Sequence, residues 1–278
     1  MSSVSIPPAS APVDPVDAFL ITKEYRRFAE FLDAVRRYRY IGLCYGPPGV
    51  GKTLSARYYA QWEQLEPRLR DPFWAKAPAA ELLARATLVY TPAVANAPTV
   101  IDRHLRFLCQ SLTWAIDEVM PLDAGVPRRG VDHTRAELIV VDEADRLKMQ
   151  SLEQLRDLYD RNAIGLVLIG MPGIEKQLAR YPQLYSRVGF VHQYRTLSTD
   201  EMRFILAHKW EQLGLALAPD DFTDVEAIAA IARITGGNFR LIQRLFAQIE
   251  RILQINELRL ITKEVVETAR ENLVIGPL

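Results

Sequence analysis

Up to about residue 195, hydrophobic positions follow two alternating spacings. Short runs rich in apolar residues are typical of strands buried on both faces of a parallel sheet. They occur at 40–45, 87–90, 137–141, 165–169 and 188–194. Between these runs, apolar residues recur every three or four positions, which is the spacing of one helix face. This spacing predicts helices at 21–35, 54–62, 99–119, 151–161 and 174–180. The pattern indicates an α/β fold with a central parallel sheet flanked by helices.

The pattern changes near residue 196, after which no strand is predicted. Helix-starting residues recur in this region, with Ser/Thr-x-x-Glu capping boxes or single caps at Ser198, Thr223, Asn238 and Thr262. The first residues are rich in Ser, Pro and Ala, a composition that does not favour a packed core. We therefore predict three parts: a disordered arm at 1–18, an α/β core at 19–195 and a small all-helical lid domain at 196–278.

Composition narrows the possible partners without naming one. The chain has 278 residues, of which 49% are hydrophobic and 24% charged, and its formal net charge is zero. No overall basic field favours a polyanion, although basic residues outnumber acidic ones between 21 and 70, so any such contact would be local. No apolar stretch reaches the roughly 18 residues of a membrane span. We expect no membrane partner, and the two widely separated cysteines suit a reducing cytosol.

The strongest motif lies between the first predicted strand and the helix after it. It matches G-x-x-x-x-G-K-[ST], in which backbone N–H groups and the helix N-terminus hold phosphate. A chance glycine-rich turn is the alternative, and the flanking strand and helix argue against it. Lys52 would reach the β- and γ-phosphates, and Thr53 would bind Mg²⁺. The predicted nucleotide-binding residues are Gly46, Pro47, Pro48, Gly49, Val50, Gly51, Lys52, Thr53 and Leu54.

A second signal is an acidic pair at the end of a buried strand, Asp142-Glu143. After a phosphate loop, Asp142 is placed to complete the Mg²⁺ site, either directly or through water. Glu143 is a natural general base for an attacking water. The alternative is a strand that simply ends at a solvated acidic turn. No Asn-Lys-x-Asp guanine motif occurs, so the pair favours ATP over GTP.

Together with Ser186-Arg187 and the Gly236–Arg240 stretch, these motifs resemble an AAA+ ATPase. Across roughly residues 20–275 the chain is most similar to the TniB/TnsC branch of DNA-transposition regulators, which is related to MuB. Four further stretches carry that finer resemblance, at 21–25, 141–147, 167–172 and 182–187.

The AAA+ resemblance implies roles for two arginines. Arg187 matches the arginine finger that reaches the γ-phosphate held by a neighbouring subunit, and Arg180 is a competing candidate. Arg240 matches the second sensor, which contacts phosphate from the lid. Either arginine could instead be an ordinary surface residue. Where the family usually has a polar first sensor, this chain has Met171, which implies slow or partner-stimulated hydrolysis.

The finer resemblance implies a bacterial, cytoplasmic protein that forms a ring or helical filament on duplex DNA when ATP is bound. It would mark a target, act with a target-selector protein and recruit a transposase. Contacts to the DNA backbone, which read no sequence, would come from Thr99, Arg103, Arg128 and Arg129. These could also be ordinary solvated residues. The alternative functions are a replication-initiation or helicase-loader ATPase and a signalling NTPase with no DNA role.

Overall fold

The computed structural model describes residues 19–71, 78–121, 134–218 and 220–273. The predicted arm at 1–18 and the arginines Arg128 and Arg129 lie outside the described residues. None of the described helices is both long and apolar enough to cross a membrane.

Five parallel strands form one sheet in the order β2-β3-β4-β1-β5. Strands β2, β3 and β4 are buried along their whole length, which explains their unbroken apolar sequences. All five predicted strands are confirmed, and their ends differ from the predicted ones by at most one residue. The strands are β1 (Ile41–Tyr45), β2 (Thr87–Tyr90), β3 (Leu138–Val141), β4 (Gly165–Gly170) and β5 (Val188–Gln193).

Among the described residues, eight helices accompany the sheet up to residue 187. They are α1 (Lys23–Tyr38), α2 (Lys52–Tyr59), α3 (Trp62–Arg70), α4 (Ala80–Leu83), α5 (Pro98–Val119), α6 (Met149–Arg161), α7 (Ile174–Leu178) and α8 (Pro182–Tyr185). Thr22 caps α1, since its hydroxyl accepts the Tyr25 N–H at 3.0 Å. Pro182 is the first residue of α8, where a missing N–H costs nothing.

The region after the phosphate loop differs from its prediction. One helix is predicted at 54–62; instead Gln61 adopts a left-handed conformation with φ 49° and separates α2 from α3. Pro67 lies inside α3. Burial of Trp62, Leu65 and Leu69 on one face sustains this helix despite the hydrogen bond that Pro67 removes.

In the described part of the chain, four helices follow residue 198: α9 (Thr199–Gln212), α10 (Phe222–Thr235), α11 (Phe239–Ile255) and α12 (Lys263–Glu271). The Ser198 capping box and the caps Asn238 and Thr262 are confirmed. The capping box predicted at Thr223 is wrong. Asp221 caps α10 instead, because its carboxylate accepts the N–H groups of Thr223 at 2.8 Å and Asp224 at 3.4 Å.

The residues around the sheet and those of the four last helices form two separate buried hydrophobic clusters. The first centres on the strands and α1. The second includes Trp210, Ile231, Leu245 and Val266. The division into two domains near residue 196 stays a prediction, and these clusters are consistent with it.

Helix α1 packs so closely on β1 that Gly42 leaves no room for a side chain. A Cβ at this position would lie 2.5 Å from Val35 Cγ2 and 2.8 Å from Phe31 Cζ, both of which belong to buried side chains. We expect Gly42→Ala to lower the free energy of unfolding by about 1–3 kcal/mol through overpacking, as measured by urea denaturation. The double variant Gly42→Ala/Val35→Ala should lose less than the two single variants together. Additive losses would contradict a steric cause.

Candidate nucleotide site

The loop from Gly46 to Gly51 joins the carboxyl end of β1 to the start of α2. Gly49 and Gly51 have φ values of +78° and +110°, which glycine adopts without steric cost. At Gly46 a Cβ would lie 2.2 Å from the carbonyl oxygen of Tyr194. The motif glycines are therefore required by backbone conformation and by close packing.

Lys52 turns back over this loop. Its Nζ donates to the carbonyl oxygens of Gly46 at 2.6 Å and Pro47 at 2.8 Å. Burial lowers the pKa of Lys52 from its usual value. The side chain is thus held at the centre of the loop, where the sequence predicts phosphate contact.

The two predicted Mg²⁺ ligands touch each other. Thr53 Oγ1 donates to Asp142 Oδ2 at 2.7 Å, and Asp142 Oδ1 accepts the Glu143 N–H at 2.9 Å. Asp142 is only 3% exposed. A hydroxyl and a buried carboxylate at this distance are the oxygen donors that Mg²⁺ prefers, so these residues fit the metal that the motif implies.

Glu143 lies beside this pair in a left-handed conformation with φ 52°. Its carboxylate forms an ion pair with Arg146, one turn further along a short 3₁₀ helix (Ala144–Arg146). Both residues line a cavity of about 270 Å³ together with Lys52, Thr53 and Asp142. The structure therefore brings the predicted base to the same cavity as the phosphate loop.

Sequence reasoning missed one carboxylate in this cavity, that of Asp145. Its Oδ1 accepts the Met171 N–H at 3.2 Å, so it joins the end of β4 to the acidic turn. In the sequence, the only indication of this role is that Asp145 lies three positions after Asp142. Met171 itself contributes its backbone to this contact and offers no polar side chain.

The start of α11 packs directly on the phosphate loop. Asn238 Nδ2 donates to the Pro48 carbonyl at 2.8 Å, and the Arg240 N–H donates to the Gly49 carbonyl at 2.9 Å. Arg240 also lines the cavity. Asn238 was predicted only as a helix cap; the structure gives it a second contact, across 190 positions of sequence.

A larger cavity, of about 460 Å³, is also lined by helix α2 and by the residues around Gln61. Leu54 lines both cavities. Aromatic residues form much of the larger one: Phe19 stacks on Tyr58 with ring centroids 3.9 Å apart, and Tyr25 meets both rings edge-on. Of its lining, the sequence predicted only Leu54.

Of the remaining predicted residues, those that the structure describes lie away from these cavities. Arg187 precedes β5, and its carbonyl accepts the Ile41 N–H at the amino end of β1, opposite the phosphate loop. Thr99 and Arg103 are exposed and one turn apart on α5. Arg128 and Arg129 are not among the described residues.

A glycine loop after a central parallel strand, with a threonine bonded to a buried strand-end aspartate, defines a P-loop nucleotide-binding protein. The profile of a family described as "AAA domain" matches residues 35–178, slightly more than half of the chain. A relative from Staphylococcus aureus named "Potential ATP-binding protein" is 50% identical over 269 residues, covering 93% of this chain and 97% of the relative. The chain belongs to the AAA domain family, and it is an AAA+ ATPase.

A more distant relative is the Mu-like prophage FluMu DNA transposition protein B of Haemophilus influenzae. It is 25% identical over 239 residues, which cover 83% of this chain and 72% of the relative. The narrower TniB/TnsC assignment stays a prediction.

Two solved structures confirm the predicted fold class. The RuvB Holliday junction branch migration motor of Thermotoga maritima matches with a TM-score of 0.58 and 19% identity, covering 94% of this chain and 72% of that one. The ORC2 protein of Aeropyrum pernix matches with a TM-score of 0.58 and 16% identity, with coverage of 94% and 72%. At these identities the likeness concerns the fold alone.

The contact between Asn238 and the loop leads to a prediction. Removing a cap costs about 1 kcal/mol, so Asn238→Ala and its matched control Thr262→Ala should lower the free energy of unfolding similarly. Only Asn238→Ala should also weaken ATP binding, because it frees the loop that must be ordered around phosphate. Urea denaturation and a titration with Mg²⁺-ATP measure the two effects. Equal ATP affinities for the two variants would contradict the role of Asn238.

Proposed function

We propose that the chain hydrolyses ATP in the cavity lined by Lys52, Thr53 and Asp142. The observation that carries this proposal is the 2.7 Å hydrogen bond between Thr53 and the buried Asp142, beside a lysine held over the glycine loop. Loop N–H groups and Lys52 bind the phosphates. Mg²⁺ held by Thr53 and Asp142 would neutralise charge that develops on them.

Glu143 is the proposed base for the attacking water. To act, its carboxylate must leave Arg146, which now pairs with it. Asp145, whose Oδ1 holds the Met171 N–H, supplies a carboxylate close to where the family has its polar first sensor. Slow hydrolysis, limited by the release of Glu143, is the expected consequence.

The cavity beside Leu54 is the proposed site for the adenine ring. Leu54 lines both this cavity and the phosphate cavity, so the two are neighbours, as the base and the phosphates of one nucleotide require. Tyr58 and Ile21 offer the apolar contact area that a flat ring needs. From the other side, Arg240 of α11 completes the proposed phosphate contacts.

We further propose that ATP-bound subunits assemble on duplex DNA and regulate transposition, marking a target and recruiting a transposase with a target selector in the bacterial cytoplasm. The name of the Haemophilus relative and the resemblance to transposition regulators support this. The position of Arg187 at the amino end of β1 supports action on a neighbour's nucleotide, because it lies far from its own phosphate loop. A ring or a helical filament would both satisfy this geometry.

Two substitutions separate nucleotide binding from hydrolysis. Lys52→Ala should abolish ATP binding, because it removes the cation at the centre of the loop. Glu143→Gln should keep ATP binding and lower the hydrolysis rate by about 10²-fold or more, as expected for loss of a general base. Equilibrium binding and phosphate release measure the two effects, with Lys176→Ala on the exposed face of α7 as the control. Hydrolysis by Glu143→Gln at the parent rate would rule out Glu143 as the base.

The DNA surface can be tested by salt dependence. With zero net charge, affinity should come from a few contacts repeated along an assembly, each phosphate adding about 0.9 to the salt slope. Arg103→Ala and the double variant Arg128→Ala/Arg129→Ala should weaken ATP-dependent duplex binding equally on unrelated sequences and flatten that slope.

The matched control is Arg106→Ala, three residues further along α5, because Arg106 is paired with Asp102 at 2.9 Å. Its affinity and slope should stay near those of the parent. Unchanged binding by both test variants would exclude the surface. Tight binding by monomers without ATP would exclude the assembly mechanism, and tight binding to a helicase would favour a loader.

A further inference from the structure

The guanidinium of Arg187 is held along one side by a single carboxylate. Its Nε donates to Asp160 Oδ1 at 2.6 Å, and its Nη2 donates to Asp160 Oδ2 at 2.9 Å. Its Nη1 donates to the carbonyl of Gln183. Of the five N–H groups of an arginine, these bonds use three. The two that remain belong to Nη1 and Nη2, at the far end of the side chain.

Asp160 is itself fixed from the other direction. Arg156 Nη1 donates to Asp160 Oδ2 at 2.6 Å, and Arg156 Nε donates to Glu153 Oε2 at 2.8 Å. These residues are three and four positions apart on α6, so they share one face of the helix. The carboxylate is therefore already ordered, and Arg187 loses less conformational freedom when it binds there.

The competing arginine has no such support. The Arg180 side chain is exposed and makes no hydrogen bond or ion pair with any residue of the described ranges. An arginine that must meet a phosphate oxygen at one distance and angle benefits from being oriented beforehand. Of the two candidates, Arg187 is the oriented one.

We propose that Asp160 is a positioning residue that aims the free end of Arg187 at the γ-phosphate of ATP in a neighbouring subunit. This rests on the proposed function of Arg187. The competing explanation is that the pair only fastens the residues before β5 to α6 and contributes to stability. The two explanations predict different hydrolysis rates for a variant that keeps the ion pair between Asp160 and Arg187 but shifts the position of Arg187.

The experiment uses the full chain, assembled at saturating protein with duplex DNA, and measures kcat and KM for ATP. Asp160→Asn should lower kcat about tenfold and leave KM within about twofold, the mark of an interaction made in the transition state. Asp160→Glu keeps the ion pair but lengthens it by one methylene. It should still lower kcat by about tenfold, because misplacement by 1 Å is costly.

The matched control is Asp157→Asn. Asp157 lies on the same helix and pairs with Arg161 at 2.6 Å, so the substitution removes one negative charge and one ion pair without touching Arg187. Its kcat should equal that of the parent. Thermal unfolding confirms that each variant is folded, and if Asp160→Asn is not, Asp160→Glu alone decides.

A mixing experiment adds a readout that a purely structural role would not change. Subunits carrying Glu143→Gln should bind ATP and therefore assemble, but they should hydrolyse it slowly, and they keep an oriented Arg187. Added to Asp160→Asn subunits, they should raise the rate per Asp160→Asn subunit. No rise, with co-assembly confirmed by light scattering, would overturn the positioning role.

The variant Arg187→Ala tests the arginine finger separately from the positioning role of Asp160. If it lowers kcat while both Asp160 variants match the parent, the positioning role is overturned and the finger stands. If Arg187→Ala itself hydrolyses ATP at the parent rate, the finger fails, and the role of Asp160 fails with it.

Discussion

The carbonyl oxygen of Tyr194 lies where a side chain at position 46 would be, 2.2 Å from the ideal Cβ. On the other side of the loop, a Cβ at Gly49 would lie 2.6 Å from Asn238 Oδ1. The phosphate loop is thus pressed between the segment after β5 and the start of α11. Because the loop is hydrogen-bonded to the start of α11, a change in the loop around phosphate would also act on α11.

Hydrogen bonds also join α1 to α9 and to the segment before it. The N–H of Glu24 in α1 donates to Glu201 Oε1 in α9 at 2.7 Å, and Glu24 Oε1 accepts the Arg195 N–H at 3.2 Å. The helix that covers Gly42 is therefore bonded to the first helix after the sheet. A change of loop conformation at Gly49 has two routes to α9–α12, one through Asn238 and one through the sheet and α1.

The features that could be predicted from the sequence depend on residues that lie close together in the chain. Apolar runs located all five strands, and Ser198 and Thr262 were found because a cap and its partner lie three residues apart. The phosphate loop and the Asp142-Glu143 pair were equally local. At α10 two local patterns competed, and the carboxylate of Asp221 was not distinguished from the hydroxyl of Thr223.

What could not be predicted depends on distant partners. The continuation of α3 past Pro67 follows from burial of Trp62 and Leu65, which only the packed structure reveals. The bond from Asp145 to Met171 spans 26 positions, and that from Arg187 to Asp160 spans 27. Neither has a spacing that sequence periodicity could detect, since each joins separate elements brought together by the sheet.

The location of Arg187 has a consequence for any chain of subunits. It sits at the amino end of β1, whereas the phosphate loop leaves the carboxyl end, so a head-to-tail assembly based on it has direction. In an open helix, one terminal subunit would hold ATP that no neighbour's arginine can reach, and that ATP would outlast the ATP in the interior. The terminal subunit of such a filament would keep its ATP, while subunits elsewhere hydrolyse ATP and dissociate. In a closed ring every subunit has a neighbour's arginine, so all of the bound ATP could be hydrolysed.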